Sequence, residues 1–446
     1  MDLAEPWYHV SVLSNFARAF DKYTGTYSKA LIPESSFPGQ FFLLKREELH
    51  IGIDKASRLL SRLQIQGNRL IVLETSLPPS RLKANTRTGL GQYIDGDQIE
   101  VRRVHGLRGE EEGHGQLDAM ALEDVMAQSL ALNGAHFHDF KDLVPRTVSI
   151  LPVAQACQAK CAFCFSRASV SSDQAASAPT WSSIEDWLAL ARERGAERAV
   201  ITGGGEPTLL KPDDLLRLVQ LCRTHFQKVV LITNGHLLTR QGELATQAHL
   251  QRLNQAGLGV LAVSRHHFDD AANAGIMGLA IPFERIARAW RSGRDQWPDL
   301  RLRLICVLQK GGIDSAEKLL AYLDWSSRMG VAEICFKELY VSTSSESVYF
   351  DRQANAWSRS HQVPLSLVTN VLTSHGFVVD SRLPWGAPVF KGDWQGRVLK
   401  VAAYTEPSLF WERTHGVARS WNVMADGQCH VSLEDRDSRI EIGQFE

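Results

Sequence analysis

The sequence predicts an α/β fold with a parallel sheet, because strand-like segments alternate with amphipathic helical patterns through its middle part. Six short apolar runs have the length of buried strands. They span residues 147–153, 199–202, 229–233, 259–264, 300–307 and 332–336. Residues 212–222 are typical of the helices between them, with Pro212 in the first turn and two acidic residues where the helix dipole favours them. Such alternation implies right-handed crossover connections.

Composition bounds the domain count and the class of partner. At 446 residues the chain is too long for one small core, and about two or three domains are expected. A formal net charge of -1 argues against nucleic acid or a membrane surface as partner. The first residues lack the pattern of a signal peptide, and no apolar run is long enough for a membrane helix. With seven cysteines, an odd number, the protein is expected in a reducing compartment, soluble and cytoplasmic.

The region before the alternating pattern predicts a mixture of helices and strands. A helix is expected to begin near Asp54, and residues 70–73 read as a strand. Residues 93–99 are typical of a hairpin turned at Asp95-Gly96, and residues 119–132 of a second helix. This region is expected either to recognise substrate or to cap the next domain.

A cluster of three cysteines follows the first predicted strand. Cys157, Cys161 and Cys164 have a Cys-x3-Cys-x2-Cys spacing, which indicates a metal site. A structural zinc ion would need a fourth ligand, for which His136 or His138 would have to fold back. A four-iron cluster held by three cysteines would instead keep one iron open to a small molecule. The spacing alone leaves both alternatives open.

A glycine-rich turn follows the second predicted strand. Gly203, Gly204 and Gly205 precede Glu206 and Pro207. Glycines let the backbone approach a ligand closely, and a carboxylate accepts hydrogen bonds from a cationic amine. Alone, this segment would be an ordinary turn between strand and helix. About forty residues after the three cysteines, it predicts a cofactor site.

With these two motifs the sequence resembles the radical S-adenosylmethionine (SAM) enzymes. That superfamily has a Cys-x3-Cys-x2-Cys loop after its first strand, with an aromatic residue before the last cysteine, here Phe163. A Gly-Gly-Glu-Pro segment follows its second strand. The resemblance implies a partial (β/α)6 TIM-like barrel over residues 146–345, with an N-terminal α+β region over 1–145. Residues 346–446 would be a C-terminal extension that lines or closes the active site.

The resemblance also implies cofactors and ligands. A single 4Fe-4S cluster would be bound by Cys157, Cys161 and Cys164, with SAM on its open iron and a reductant such as flavodoxin or ferredoxin supplying electrons. Glu206 would accept a hydrogen bond from the methionyl amine beside Gly204 and Gly205. The remaining predicted cofactor contacts are Ser264 or Arg265 to the methionyl carboxylate and Asn234 to the ribose hydroxyls, although Asn234-Gly235 is also a common turn pair.

The other cysteines have different expected roles. Cys222 and Cys306 lie in phase with apolar neighbours and are expected in the core. Cys335, on the sixth strand, would donate a hydrogen atom to a substrate radical if it faces the barrel interior. In peptide-modifying members of the superfamily, a C-terminal extension holds extra iron–sulfur clusters. Here that region has only Cys429, which cannot hold a cluster by itself, and this removes the main sequence argument for a peptide-modifying enzyme. Candidate pocket residues in the extension are Trp385, Trp411, Glu406 and Glu412.

These features predict an enzyme that cleaves SAM reductively to a 5′-deoxyadenosyl radical. The radical would remove hydrogen from a small polar metabolite, of amino-acid, sugar or nucleoside type. An alternative keeps the chemistry and makes the substrate a peptide or protein side chain, with residues 1–145 as the recognition module. A second alternative is a non-catalytic protein in which zinc or an iron–sulfur cluster is a structural element.

Overall fold

The structure is a computed structural model. It describes residues 138–154, 156–164, 181–340, 352–384, 386–407, 412, 415–433 and 438–445, together with strands near the N-terminus. Residues 138–340 and 346–446 form one compact unit, and residues 1–137 with 341–345 form another. Within the described part of the chain, no helix has both the length and the apolar character needed to cross a bilayer.

The N-terminal unit contains β-strands, seven of which form one sheet. The sheet joins, in spatial order, Phe41–Leu44, Glu48–Gly52, Leu59–Gln66, Arg69–Thr75, Val104–Gly106 and Gly109–Glu111, with Ile99–Val101 also paired to Arg69–Thr75. A further two-stranded pair joins Phe20–Asp21 to Thr26–Tyr27.

The helix predicted to begin near Asp54 is wrong, because Leu59–Gln66 is a strand antiparallel to Arg69–Thr75. From Leu63 onward, apolar and polar residues alternate, and only Gly67-Asn68 separates the two strands. A two-residue glycine-containing connection is typical of a hairpin, and this signal outweighs the helical spacing of the leucines. The strand predicted at 70–73 is confirmed. The 95–96 turn, the 119–132 helix and His136 lie outside the described residues.

The larger unit contains the six predicted parallel strands. They are β1 (Val148–Ile150), β2 (Ala199–Ile201), β3 (Val229–Thr233), β4 (Val260–Ser264), β5 (Arg301–Leu308) and β6 (Glu333–Glu338). Each pairs in parallel with the next in sequence. Because all six run the same way, their carboxyl ends meet at one edge, where active sites of βα barrels form. The predicted α/β barrel architecture is confirmed.

Helices connect these strands. They are α1 (Trp181–Glu193), α2 (Pro212–His225), α3 (His236–Thr239), α4 (Glu243–Gln255), α5 (Asp270–Met277), α6 (Phe283–Gly293) and α7 (Ala316–Met329). Local sequence sets the ends of α7. The Ser315 hydroxyl accepts from the backbone N–H of Lys318 at the start, and Gly330 takes a left-handed conformation at the end. Cys222 of α2 and Cys306 of β5 are fully buried, as predicted.

The C-terminal segment extends the same sheet at both edges. Its helices are α8 (Arg352–Ser360) and α9 (Ser366–Ser374), and its strands are β7 (Val378–Arg382), β8 (Pro388–Trp394), β9 (Arg397–Tyr404), β10 (Trp421–Val423), β11 (Cys429–His430) and β12 (Arg439–Ile440). β9 pairs in parallel with β6, and β10 with β1. The barrel sheet therefore has eight adjacent parallel strands in the described residues, two more than the sequence predicts.

The two edge strands of this parallel run continue into antiparallel strands. β9 pairs on its other side with β8, and β10 pairs with β11 through a hairpin that turns at Asp426-Gly427. Along β5 and β6, buried residues alternate with half-exposed ones. The half-exposed residues include Arg303 and Cys335, and they line the interior of the barrel.

Candidate active site

The cysteine loop follows β1 at the carboxyl edge of the sheet. Cys157, Cys161 and Cys164 are all half-buried, and the Cys164 N–H donates to the Cys161 carbonyl at 3.1 Å. Burial, with smaller contributions from the charges of Cys164 and Cys157, raises the pKa of Cys161 to about 12. Burial also raises the pKa of Cys157. Cys157 and Cys164 therefore lie close enough to affect the ionisation of Cys161.

The glycine-rich turn after β2 packs directly on this loop. A Cβ atom at Gly205 would lie 2.2 Å from the carbonyl oxygen of Ala156, and one at Gly203 would lie 2.4 Å from the carbonyl oxygen of Gly205. The Glu206 N–H donates to the same Ala156 carbonyl at 2.8 Å. Gly204 is buried in the same turn. A side chain at 205 would force the turn and the cysteine loop apart, and a side chain at 203 would collide with the backbone of the turn itself.

The buried Glu206 carboxylate links the end of β2 to the end of β3. Its Oε1 accepts from the Thr208 N–H at 3.0 Å, the Thr208 hydroxyl at 2.6 Å and the Thr233 hydroxyl at 2.5 Å. Its Oε2 accepts from the Asn234 N–H at 2.7 Å. This network holds the turn and the third strand in fixed register, and it leaves Oε2 with the smaller share of the hydrogen bonds.

Asn234 lies between β3 and the cysteine loop. Its side-chain amide donates toward the Cys157 Sγ at 3.7 Å and toward the Gln158 Oε1 at 3.3 Å. Its Oδ1 accepts from the His236 N–H at 2.8 Å, at the start of α3. The amide is thus directed at the cysteine loop, and its predicted contact with a ribose stays a prediction.

Arg265 follows β4 and is 1 % exposed. Its guanidinium donates to the backbone carbonyls of His267 at 2.6 Å and Phe268 at 3.0 Å, and it pairs with Asp270 at 2.5 Å. It also lies over the Trp325 ring, 5.0 Å from the centroid. These contacts commit the guanidinium to its own loop. Its predicted contact with a carboxylate of SAM stays a prediction, as does that of its half-buried neighbour Ser264.

Phe163, the aromatic residue before the third cysteine, connects the cysteine loop to the β4 loop. Its ring meets His266 edge to face, with centroids 5.1 Å apart, and lies 6.0 Å from the Trp357 ring of α8. The His266 Nδ1 accepts from the Val307 N–H at 3.1 Å. Burial and the nearby Arg265 lower the pKa of His266 to about 3, so the ring stays neutral and acts as a packing surface.

A cavity of 720 Å³ runs from this mouth into the barrel. Phe163, Cys164, Gly203 and Gly205 border it at the mouth, and Cys335 lies on its wall. Burial raises the pKa of Cys335, although Arg303 opposes the shift. Cys335 therefore remains a neutral thiol facing the barrel interior.

The candidate pocket residues of the C-terminal segment have separate positions. Glu406 borders the cavity and pairs with Lys337 and Arg419, and these two cations outweigh burial and lower its pKa to about 2. Glu412 is buried and accepts from the Arg419 N–H at 2.6 Å. Trp385 and Trp411 lie outside the described residues.

Sequence reasoning missed the charged side chains on the barrel wall. Arg198, Lys228, Arg303 and Glu333 all border the cavity. A signal exists for Arg303 and Glu333, because polar residues alternate with apolar ones in the first part of β5 and β6, whereas strands buried on both faces are normally continuous apolar runs. Alternation in a parallel strand covered by helices indicates that its other face borders a polar interior.

The residues at the mouth fit an iron–sulfur cluster. In the described residues, no three His, Cys, Asp or Glu side chains are grouped as ligands of one metal ion. The donor set itself, three adjacent thiols on one loop with an amide directed at one sulfur, suits a cluster held by three cysteines. Cysteine binds iron as a thiolate, so loading the site releases protons and the bound iron compensates the thiolate charges.

The chain is similar to several solved structures of other proteins. Among solved structures, SuiB of Streptococcus suis bound to S-adenosylmethionine is 17% identical, with 72% of this chain and 66% of that chain covered and a TM-score of 0.39. Coproporphyrinogen III oxidase (HemN) of Escherichia coli is 16% identical, with 56% of each chain covered and a TM-score of 0.35. The anSMEcpe protein with bound AdoMet is 17% identical, with 43% of this chain and 49% of that chain covered and a TM-score of 0.32.

The matched segments thus span about half to two thirds of those chains. No curated protein sequence matches this one. The family model described as the Radical SAM superfamily matches residues 151–323, a segment that contains the three cysteines, the glycine-rich turn and Asn234. Over this segment, which is less than half of the chain, the sequence matches the radical SAM superfamily, whose enzymes use a 4Fe-4S cluster and S-adenosylmethionine.

Proposed function

We propose that this chain acts on a small polar metabolite bound inside the barrel. The observation that carries the proposal is the 720 Å³ cavity bordered by the cysteine loop at one end and by charged side chains along its wall. Small-molecule sites are typically about 300–1,000 Å³ in volume, with a few polar groups that fix the ligand's orientation. The interior therefore suits a metabolite of amino-acid, sugar or nucleoside type.

The cysteine loop is the proposed cluster site, with Cys157, Cys161 and Cys164 as ligands. A reduced cluster with SAM supplies a 5′-deoxyadenosyl radical that removes a hydrogen atom from the substrate. The chain itself places and shields the reacting groups. Gly205 lets the turn after β2 contact the cysteine loop, and Phe163 packs that loop against His266 of the β4 loop.

The proposed SAM contacts follow from the hydrogen bonds that remain to be made. Glu206 Oε2 accepts one hydrogen bond, from Asn234, and retains a lone pair for the methionyl amine. Ser264, at the end of β4, is better suited than Arg265 to donate to the methionyl carboxylate, because the Arg265 guanidinium already binds its own loop.

Cys335 is the proposed hydrogen donor. A donor of this kind needs an intact S–H bond, and burial keeps this thiol protonated. The hydrogen atom would pass to the substrate carbon radical, forming a C–H bond and leaving a thiyl radical on Cys335. One electron from a reductant such as flavodoxin or ferredoxin and one proton from solvent would restore the thiol.

Anaerobic reconstitution tests the proposed function. The full chain is loaded with iron and sulfide, reduced with dithionite in the presence of SAM, and assayed for 5′-deoxyadenosine by mass spectrometry. We expect about four irons per chain and product formation, with both lost in Cys161→Ala. The matched variant Cys222→Ala, on the buried face of α2, should keep both. Full iron content and product in Cys161→Ala would refute the ligand assignment.

A further inference from the structure

The interior of the barrel has two chemically different walls. One wall, formed by β2, β3 and β4, is apolar. It consists of Val200, Val230, Ile232 and Ala262, which pack against one another. The other wall, formed by β5, β6 and β9, carries polar and charged groups. These are Arg301, Arg303, Glu333, Cys335, Lys337, Lys400, Tyr404 and Glu406. The charged groups on β5, β6 and β9 therefore face strand residues that cannot solvate them.

Two acids of the polar wall already have cationic partners. Glu333 accepts from Arg301 at 2.8 Å, and both Nε and Nη2 of Arg303 donate to it, at 2.9 Å and 2.6 Å. These cations outweigh burial and lower the pKa of Glu333. Glu406 is paired with both Lys337 and Arg419. Four cations are thus paired with two acids, and Glu333 also attracts Lys228 without forming an ion pair with it.

Two more cations lie at the amino-terminal end of the barrel. Arg198 directly precedes β2, and Lys228 directly precedes β3. The Ala199 N–H donates to the Lys228 carbonyl at 3.1 Å, so the two cationic residues lie on adjacent strands at the same level. Both border the cavity, and both side chains are half-buried. In the part of the chain that the structure describes, neither forms an ion pair with an acid.

At this end of the barrel, the positive charges of Arg198 and Lys228 are only partly neutralised by nearby acids. Burial lowers the pKa of Lys228 to about 8, and repulsion from Arg198, Arg303 and Arg301 contributes. Burial also lowers the pKa of Arg198, with repulsion from Arg303 and Arg146. A bound anion would relieve this repulsion and replace the water lost on burial. The chain as a whole has a net charge of only -1, so the cations are a local feature of the cavity.

We propose that Arg198 and Lys228 form an anion-binding subsite that holds the carboxylate or phosphate group of the substrate. The proposal rests on the proposed function in taking the barrel interior as the substrate site. Gly203 lies five residues after Arg198, roughly 16 Å along an extended strand. The substrate is therefore an elongated organic acid or phosphate ester, with its acidic group remote from the carbon that reacts at the mouth.

Equilibrium dialysis of the reconstituted full chain tests this subsite. Radiolabelled inorganic phosphate and succinate serve as probes at low ionic strength, without SAM or reductant. We expect saturable binding of one anion per chain. Arg198→Gln and Lys228→Gln should each weaken it roughly ten- to a hundredfold, the range for loss of a charge-assisted hydrogen bond. Arg198→Lys should retain part of the affinity because it keeps the charge.

Arg252→Gln is the matched control, because Arg252 lies on the exposed surface of α4, paired with Asp213. Binding in this variant should equal that of the unchanged chain. Tighter binding of phosphate would indicate that the substrate is a phosphate ester, and tighter binding of succinate would indicate that it is a carboxylic acid. Absence of saturable binding in the unchanged chain, or equal loss in Arg252→Gln, would overturn the subsite.

The dialysis result is independent of SAM cleavage. A chain that binds the probes but forms no 5′-deoxyadenosine would keep the subsite and contradict the proposed function. A chain that forms 5′-deoxyadenosine but binds neither probe would keep the proposed function and lose the subsite.

Discussion

The side-chain amide of Asn234 lies 3.7 Å from the Sγ atom of Cys157 and connects the end of β3 to the cysteine loop. An N–H donor directed at a cysteine sulfur withdraws charge from it, and such contacts raise the reduction potential of an iron–sulfur cluster. Asn234 is also held in place by Glu206, which accepts from its backbone N–H. The turn after β2 therefore influences the cysteine loop through β3 as well as by direct contact.

Replacing Asn234 with Asp should shift the cluster potential to a more negative value. Asp keeps the acceptor for the His236 N–H but replaces the amide donor with a negative charge near Cys157. Iron content should remain near that of the unchanged chain, and the rate of 5′-deoxyadenosine formation should fall. An anaerobic redox titration followed by electron paramagnetic resonance measures the shift. Asn254→Asp, at the end of α4, should leave the potential unchanged.

Replacing Glu206 with Gln should destabilise the fold as well as impair SAM binding. The new amide nitrogen would face a backbone N–H or a threonine hydroxyl, whichever way the side chain turns, and one buried donor would lose its acceptor. The expected loss is about 1–3 kcal/mol in the free energy of unfolding. Urea denaturation measures it, with Glu317→Gln on the first turn of α7 as control. Equal stability of the two variants would show that the network contributes little.

Replacing Gly205 with Ala should reduce iron loading. The added methyl group would lie 2.2 Å from the Ala156 carbonyl oxygen, so the glycine-rich turn and the cysteine loop would have to separate. Gly275→Ala is a matched control, since a Cβ there meets no atom within 4 Å and Ala is favoured inside helix α5. Iron per chain after reconstitution is the measurement. Normal loading in Gly205→Ala would mean that the loop tolerates the shift.

Replacing Cys335 with Ala should leave SAM cleavage intact and change the fate of the substrate radical. In D2O the Cys335 thiol exchanges its hydrogen with solvent, so the unchanged chain should transfer deuterium to the product. The alanine variant should give a product without that deuterium, or a different product. Cys306→Ala is the control, because that thiol is fully buried on the other face of the barrel wall. Unchanged deuterium transfer in Cys335→Ala would exclude this thiol as the donor.

Much of the site was predictable because its chemistry is local in sequence. The cysteine spacing, Gly203 to Glu206, and the strands before them are contiguous segments, and parallel topology brings strand ends together. The contribution of β9 and β10 to the barrel was not predictable, because β10 has only three residues and lies far along the chain from its partner β1. Short strands carry little periodic signal, and their pairing depends on tertiary contacts.

Arg265 shows a second limit of sequence reasoning. Its position after β4 suggests a ligand for a carboxylate, yet the backbone of its own loop supplies the acceptors that bind it. Backbone carbonyls do not appear in a sequence pattern, because their direction depends on the loop conformation. The same applies to Arg198 and Lys228, whose adjacency follows from the register of β2 and β3.

Succinate binding should weaken as the pH rises through about 8, because Lys228 loses its proton there. The lowered pKa of Lys228 sets the pH at which the affinity for succinate changes. Below about pH 8 the amine is charged and attracts the anion, and above it the neutral amine does not. The other groups that act on this amine are Arg198, Arg301, Arg303 and Glu333. The arginines stay charged and Glu333, with its lowered pKa, stays ionised throughout this range.

Both carboxylates of succinate are also ionised above about pH 6, so the probe does not contribute to the change. Dialysis over a series of pH values gives the profile. In Lys228→Gln the affinity should be lower and constant over the same range, because the titrating group is absent. A parallel decline with pH in Lys228→Gln would assign the effect to another group and remove Lys228 from the subsite.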